Sequence, residues 1–171
     1  MNHLRVQAVN HKQVRVGGIN PFLAACLQEL PEILAQRDHP SARRRLFPDP
    51  TAGDREANAD WQRLMEPELR HLFVSAAETV ARDLAALQPD TSEKDCLETA
   101  FPAAHVSAWM SALNQARLIL GELHHVEEPD MTREQFDLQD ARQLAVLRIH
   151  VFCYLLQLFV ELESGETEPV P

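Results

Sequence analysis

Residues 109–126, WMSALNQARLILGELHHV, read as one strongly amphipathic helix, with Trp109, Met110, Leu113, Ile119 or Leu120, and Leu123 on its apolar side. Asn114 and Arg117 fall on the border of that stripe, with Gly121 in line one turn further on. A half-buried guanidinium keeps its charge and needs a carboxylate or carbonyls. The first turn of the segment 66–70 offers Glu66 and Glu68, so these are the expected neighbours of Arg117. The candidate polar network is therefore Arg63, Glu66, Glu68, Arg70, Asn114 and Arg117. It would either hold two helices in register or line a partner-binding groove.

The rest of the chain predicts a mainly α fold, a bundle of four to six helices behind a small N-terminal β-hairpin. Leu4, Val6 and Ala8, then Val14 and Val16, alternate with polar residues around Asn10-His11-Lys12, and Gly17-Gly18 closes a hairpin over about residues 3–17. Asn20 and Pro21 then open a helix as cap and first residue, and Pro31 kinks or restarts it. Residues 38–54, with Pro40, Pro48 and Pro50, read as a connector anchored by Leu46-Phe47. Helical spacing resumes near Asp54 and, past Pro67, runs to about Gln88. Residues 90–100 are polar, with Asp90 and Glu93 at capping-box spacing, and Pro102 opens the next helix. An acidic linker at 127–130 precedes a second capping-box signal, Thr132 with Gln135, and the longest helix over 136–163. One domain, 1–163, and a disordered tail, 164–171, are expected.

Charge excludes more than it assigns. Residues 1–50 carry seven Lys/Arg against four Asp/Glu, whereas 51–171 carry nine against twenty-two, for a net charge of −10. An acidic body repels nucleic acid, and the cluster Arg43, Arg44 and Arg45 alone supplies little phosphate affinity. Three cysteines, Cys26, Cys96 and Cys153, form no CxxC pair and no apolar leader opens the chain, so a cytoplasmic location with reduced thiols is expected. Residues 144–160 are interrupted by Arg148, His150 and Gln157, which fits a core helix and no membrane span. Phe152, Tyr154, Leu155, Leu156, Leu158 and Phe159 nonetheless point around that helix, leaving two readings open: a deeply central helix, or a homodimer through it.

Three segments, ARRRLFP at 42–48, WQRLMEPELR at 61–70 and ALNQARLILG at 112–121, resemble a bacterial family described as domain of unknown function two-zero-one-seven. The resemblance implies a small, largely helical cytosolic protein with no established reaction, encoded beside the adaptor of the Clp protease. Two departures stand out. Met65 replaces a capping threonine, and His124-His125 follow where the family pattern differs.

Candidate chemistry is sparse. Glu68 with His71 and Glu122 with His125 have the i, i+3 spacing of di-iron ligands, but the further carboxylates such a centre needs, Glu29 and Glu161, lie on polar borders. His124, His125, Glu127, Glu128 and Asp130 form a flexible cluster suited to adventitious zinc or nickel. Cys96 lies in a polar stretch and is expected to be the most accessible thiol, with Cys26 and Cys153 packed as small hydrophobes. No phosphate loop, nucleophile elbow or Cys/His pair is present. The expectation is a non-catalytic, cofactor-free regulatory or adaptor-like module for a cytosolic protein partner, linked through the family to Clp-type proteolysis. The alternative is a sensor responding through a cysteine or an interhelical pocket.

Overall fold

A computed structural model describes residues 4–165. β1 (Arg5–Asn10) and β2 (Gln13–Ile19) form the hairpin, and the helices are α1 (Pro21–Gln28), α2 (Leu30–Ala35), α3 (Pro40–Leu46), α4 (Arg55–Leu64), α5 (Glu66–Leu84), α6 (Val106–Leu123) and α7 (Ala141–Ser164). The fold is mainly α with a small N-terminal hairpin, as the periodicities predict. Asn20 caps α1 by accepting the Leu23 N–H at 2.9 Å, and Pro31 restarts the helix as α2. α6 is the axle: it packs on α2, α3, α5 and α7, burying Trp109, Ala112, Leu113, Ala116 and Ile119 completely.

Several boundaries differ from the sequence reading. The hairpin spans 5–19, and Gly17-Gly18 continue β2 rather than end it. Two further strands, β3 (Gln88–Pro89) and β4 (Leu97–Pro102), extend it into an antiparallel sheet of order β1-β2-β4-β3. Consequently α5 stops at Leu84, and Pro102 ends a strand instead of opening a helix. β4 escaped notice because it buries Glu98 and Thr99 side by side, so its hydropathy does not alternate. Glu98 faces Arg15 of β2 at 3.9 Å.

The proline-rich connector contains α3, which buries Ala42 and Leu46 beside α6. The longest helix starts at Ala141 and not at 136, because Asp140 accepts the Arg142 and Gln143 N–H groups at 2.9 and 3.0 Å. That cap displaces the Thr132/Gln135 signal, and the preceding segment instead lies against α7, with the Met131 carbonyl 3.1 Å from His150 Nε2. At the far end Ser164 is helical and Gly165 closes the helix at φ +72°, so the expected tail is ordered at its first two residues. Residues 166–171 of that tail, like 1–3, lie outside the described residues.

One buried carboxylate fastens the sheet to itself, and a second joins it to the helices. Asp90, its side chain fully buried, accepts the Gly18 N–H at 2.7 Å with one oxygen and the Ser92 and Glu93 N–H groups at 2.7 and 3.1 Å with the other. Arg5 approaches it at 3.4 Å, and a Cβ on Gly17 would stand 3.1 Å from its oxygen, so a larger residue there would press on the carboxylate. Asp83, near the end of α5, accepts the indole N–H of Trp109 at 2.9 Å and faces His105 Nδ1 at 3.0 Å. Phe101 of β4 stacks on Trp109 with centroids 5.2 Å apart, and Thr99 donates to the Asp83 carbonyl at 2.9 Å.

Candidate functional site

The six residues of the expected network separate into two places. Glu66 is buried at the start of α5, where it accepts from Arg43 of α3 at 2.6 Å and from Arg70 at 3.2 Å. Arg70 also pairs with Asp38 and lies over the Phe47 ring, 4.8 Å from its centroid. α3 therefore supplies the guanidinium that Glu66 was expected to find on α6. Arg63 pairs with Asp60 of its own helix, both exposed, and Glu68 is exposed on α5. Arg117 meets no carboxylate among the described residues, which corrects its assignment to Glu66 or Glu68. Its Nε donates to Asn114 Oδ1 at 2.8 Å, and its Nη1 points at Cys153 Sγ of α7, 3.7 Å away.

Arg117 instead borders a groove of about 340 Å³ at the C-terminal end of α6, lined by Arg45, Arg117, Leu118, Gly121, Glu122 and His125, with Val126 and Glu127 at its rim. Its floor is chemically unusual. Gly121 lies in the last turn of α6, and a Cβ there would meet nothing within 4 Å, so no packing contact requires glycine, although glycine costs up to roughly 0.5–1 kcal/mol relative to alanine in a helix. His125 is the reverse case. The Val126 N–H returns to the Gly121 carbonyl at 2.9 Å, a Schellman closure that places His125 at φ +49°, where glycine is the usual residue. An L-residue in that region costs about 1–2 kcal/mol, with histidine tolerated better than most. Both less stable choices line one groove.

The groove is bipolar. Arg45 and Arg117 have no acidic ion-pair partner among the described residues, and Glu122 shares the lining with them without a basic one. His124, behind the groove, is held below the ordinary imidazole range by burial, with Arg148 and His125 adding to the effect. Arg148 itself pairs with Glu29. Among the described residues no group of three His, Cys, Asp or Glu side chains is placed to hold a metal ion.

The thiols reverse the expected order. Cys96 is buried behind β4, Cys26 is buried, and Cys153 is half-buried beside Arg117. Burial pushes the Cys26 thiol up to about 11, against the opposing pull of Arg148. The polar neighbours of Cys96 gave no sign of the β3–β4 pairing at whose turn it is buried. Cys153 is accordingly expected to react with a small thiol reagent at least tenfold faster than Cys26 or Cys96 in native protein. Equal rates for all three, measured by mass spectrometry over time, would refute this placement.

Arg45 and His125 were missed as site residues: the first read as loop charge and the second as part of a flexible linker. The one available signal was the pairing of a glycine in the last turn of a helix with a non-glycine four residues later. No curated protein and no solved structure matches the chain. A family model does match it, over residues 20–162, and that span holds α1 to α6, nearly all of α7, and every residue lining the groove. The chain belongs to the family described as domain of unknown function DUF2017.

Proposed function

We propose that this chain is a non-catalytic cytosolic interaction module that seats a loop or peptide of a partner protein over Gly121. Arg45 and Arg117 receive an acidic side chain of the partner, Glu122 and Glu127 a basic one, and Leu118 and Val126 supply apolar contact. The observation that carries this reading is the inverted choice at positions 121 and 125, where stability is sacrificed on the floor and wall of a single groove. Local strain of this kind collects where a ligand or partner must approach. The family resemblance makes a component of Clp-type proteolysis the first partner to test.

Gly121→Ala and His125→Gly are each expected to stabilise the isolated protein by about 0.5–1 kcal/mol. Both should weaken a photo-crosslink placed at Leu118 in cells. Arg117→Met should abolish the crosslink while changing stability by less than about 1 kcal/mol, since no buried carboxylate is orphaned. Loss of stability in the first two variants, or an undiminished crosslink in all three, would sink the proposal.

A further inference from the structure

α7 commits one side to the core, through Ala145, Ile149, Phe152, Leu155 and Phe159. Along the border of that side, Leu147, Val151, Tyr154 and Leu158 recur at steps of four, three and four residues, the spacing of an interlocking helix seam, with Val151 and Leu158 also touching the core. Tyr154 is 48% exposed and the other three are half-buried. Gln143, His150 and Gln157 flank the seam, and residues 141–160 contain no Asp or Glu in a chain of net charge −10. Two copies meeting across the acidic remainder bring carboxylates together, whereas across this face they meet without like charge.

We propose that a second copy of this chain packs its own α7 antiparallel along this seam. The four-three-four steps read the same in both directions. A two-fold axis between Val151 and Tyr154 therefore sets Val151 against the second copy's Tyr154, and Leu147 against its Leu158. Antiparallel pairing also keeps the two Glu161 side chains at opposite ends and opposes the helix dipoles, while parallel pairing juxtaposes both. α7 is long and apolar enough to cross a membrane by length and composition. A bilayer, however, needs the whole circumference, and here one side packs on α6 and the helix carries the Arg148–Glu29 pair.

Sedimentation of the full chain should show a dimer that dissociates on dilution. Added salt should strengthen it, because salt screens two acidic bodies and the seam contains no ion pair to weaken. Tyr154→Glu should sediment as a monomer with an unchanged circular dichroism spectrum. Under mild oxidation, the pair Val151→Cys with Tyr154→Cys should yield a covalent dimer, while Leu147→Cys alone should add nothing to the wild-type background. A monomer at every concentration overturns the proposal, as does flotation of monomer with phosphatidylcholine vesicles. Rapid crosslinking of Leu147→Cys alone would make the pairing parallel and overturn the geometry.

Discussion

Asp83→Ala is expected to destabilise the protein by about 2–4 kcal/mol, because it leaves the fully buried Trp109 indole N–H with no acceptor and opens a small void beneath it. His105 contributes less, since it is partly exposed and water can replace the lost oxygen. Trp109 joins three layers at this point, α5 through Asp83, β4 through Phe101 and α7 through Phe159, whose ring centroid lies 5.9 Å away. The loss is therefore global and should shift the whole denaturation midpoint. Asp83→Asn retains an acceptor and should cost about half as much. Trp109→Phe in the Asp83→Ala background should add less than Trp109→Phe alone, by 1 kcal/mol or more in order of magnitude. Additive losses in that cycle would mean the two side chains do not depend on each other.

Asp90→Ala should cost a similar amount, roughly 2–4 kcal/mol, by leaving the Gly18 and Glu93 N–H groups without their acceptor, while Arg5 keeps its pairing with Glu93. This site has a pH signature as well. Burial works to raise the Asp90 carboxyl, but the Gly18, Ser92 and Glu93 N–H groups together with Arg5 outweigh it and hold the group below its ordinary range. A carboxyl lowered by folding contributes stability that is complete above its unfolded value of about 3.9 and is lost as pH falls through the lower, folded value. The advantage of wild type over Asp90→Asn should thus be constant from pH 7 to about 5 and collapse in more acid solution. An advantage that grew on acidification would contradict the assignment.

What could be read from the residues was local. Asn20-Pro21, Pro31 and the stripe through Trp109 and Leu113 each act within a turn or two, and each marks a helix that forms, although α6 begins at Val106 and not at Pro102. β4 was not legible because its reason for being a strand lies some eighty residues earlier, in the free edge of β2, and its buried Glu98 needs Arg15 from that edge. The polar network failed for a related reason. Glu66 does find guanidinium partners, but α3 lay hidden among three prolines, and its Arg43 takes the place expected of Arg117. The groove was half visible: Asn114, Arg117 and Gly121 share a helix edge in any α-helical reading, while Arg45 comes from a distant segment.

The Asp90 latch also says something about the birth of the chain. Gly18 and the carboxylate that holds it are separated by 72 residues, so the hairpin leaves the ribosome long before its fastening exists. At about 5–20 residues per second, the edge of β2 waits on the order of 4–17 s for β3 and β4 to be made. During that interval five helices must be threaded out between two strands that will become neighbours, and the open edge can pair with any other nascent strand. A message broken before codon 97 therefore yields a chain whose helices α1 to α5 are complete yet whose sheet edge stays permanently unpaired, and such fragments should be the species that chaperones retain.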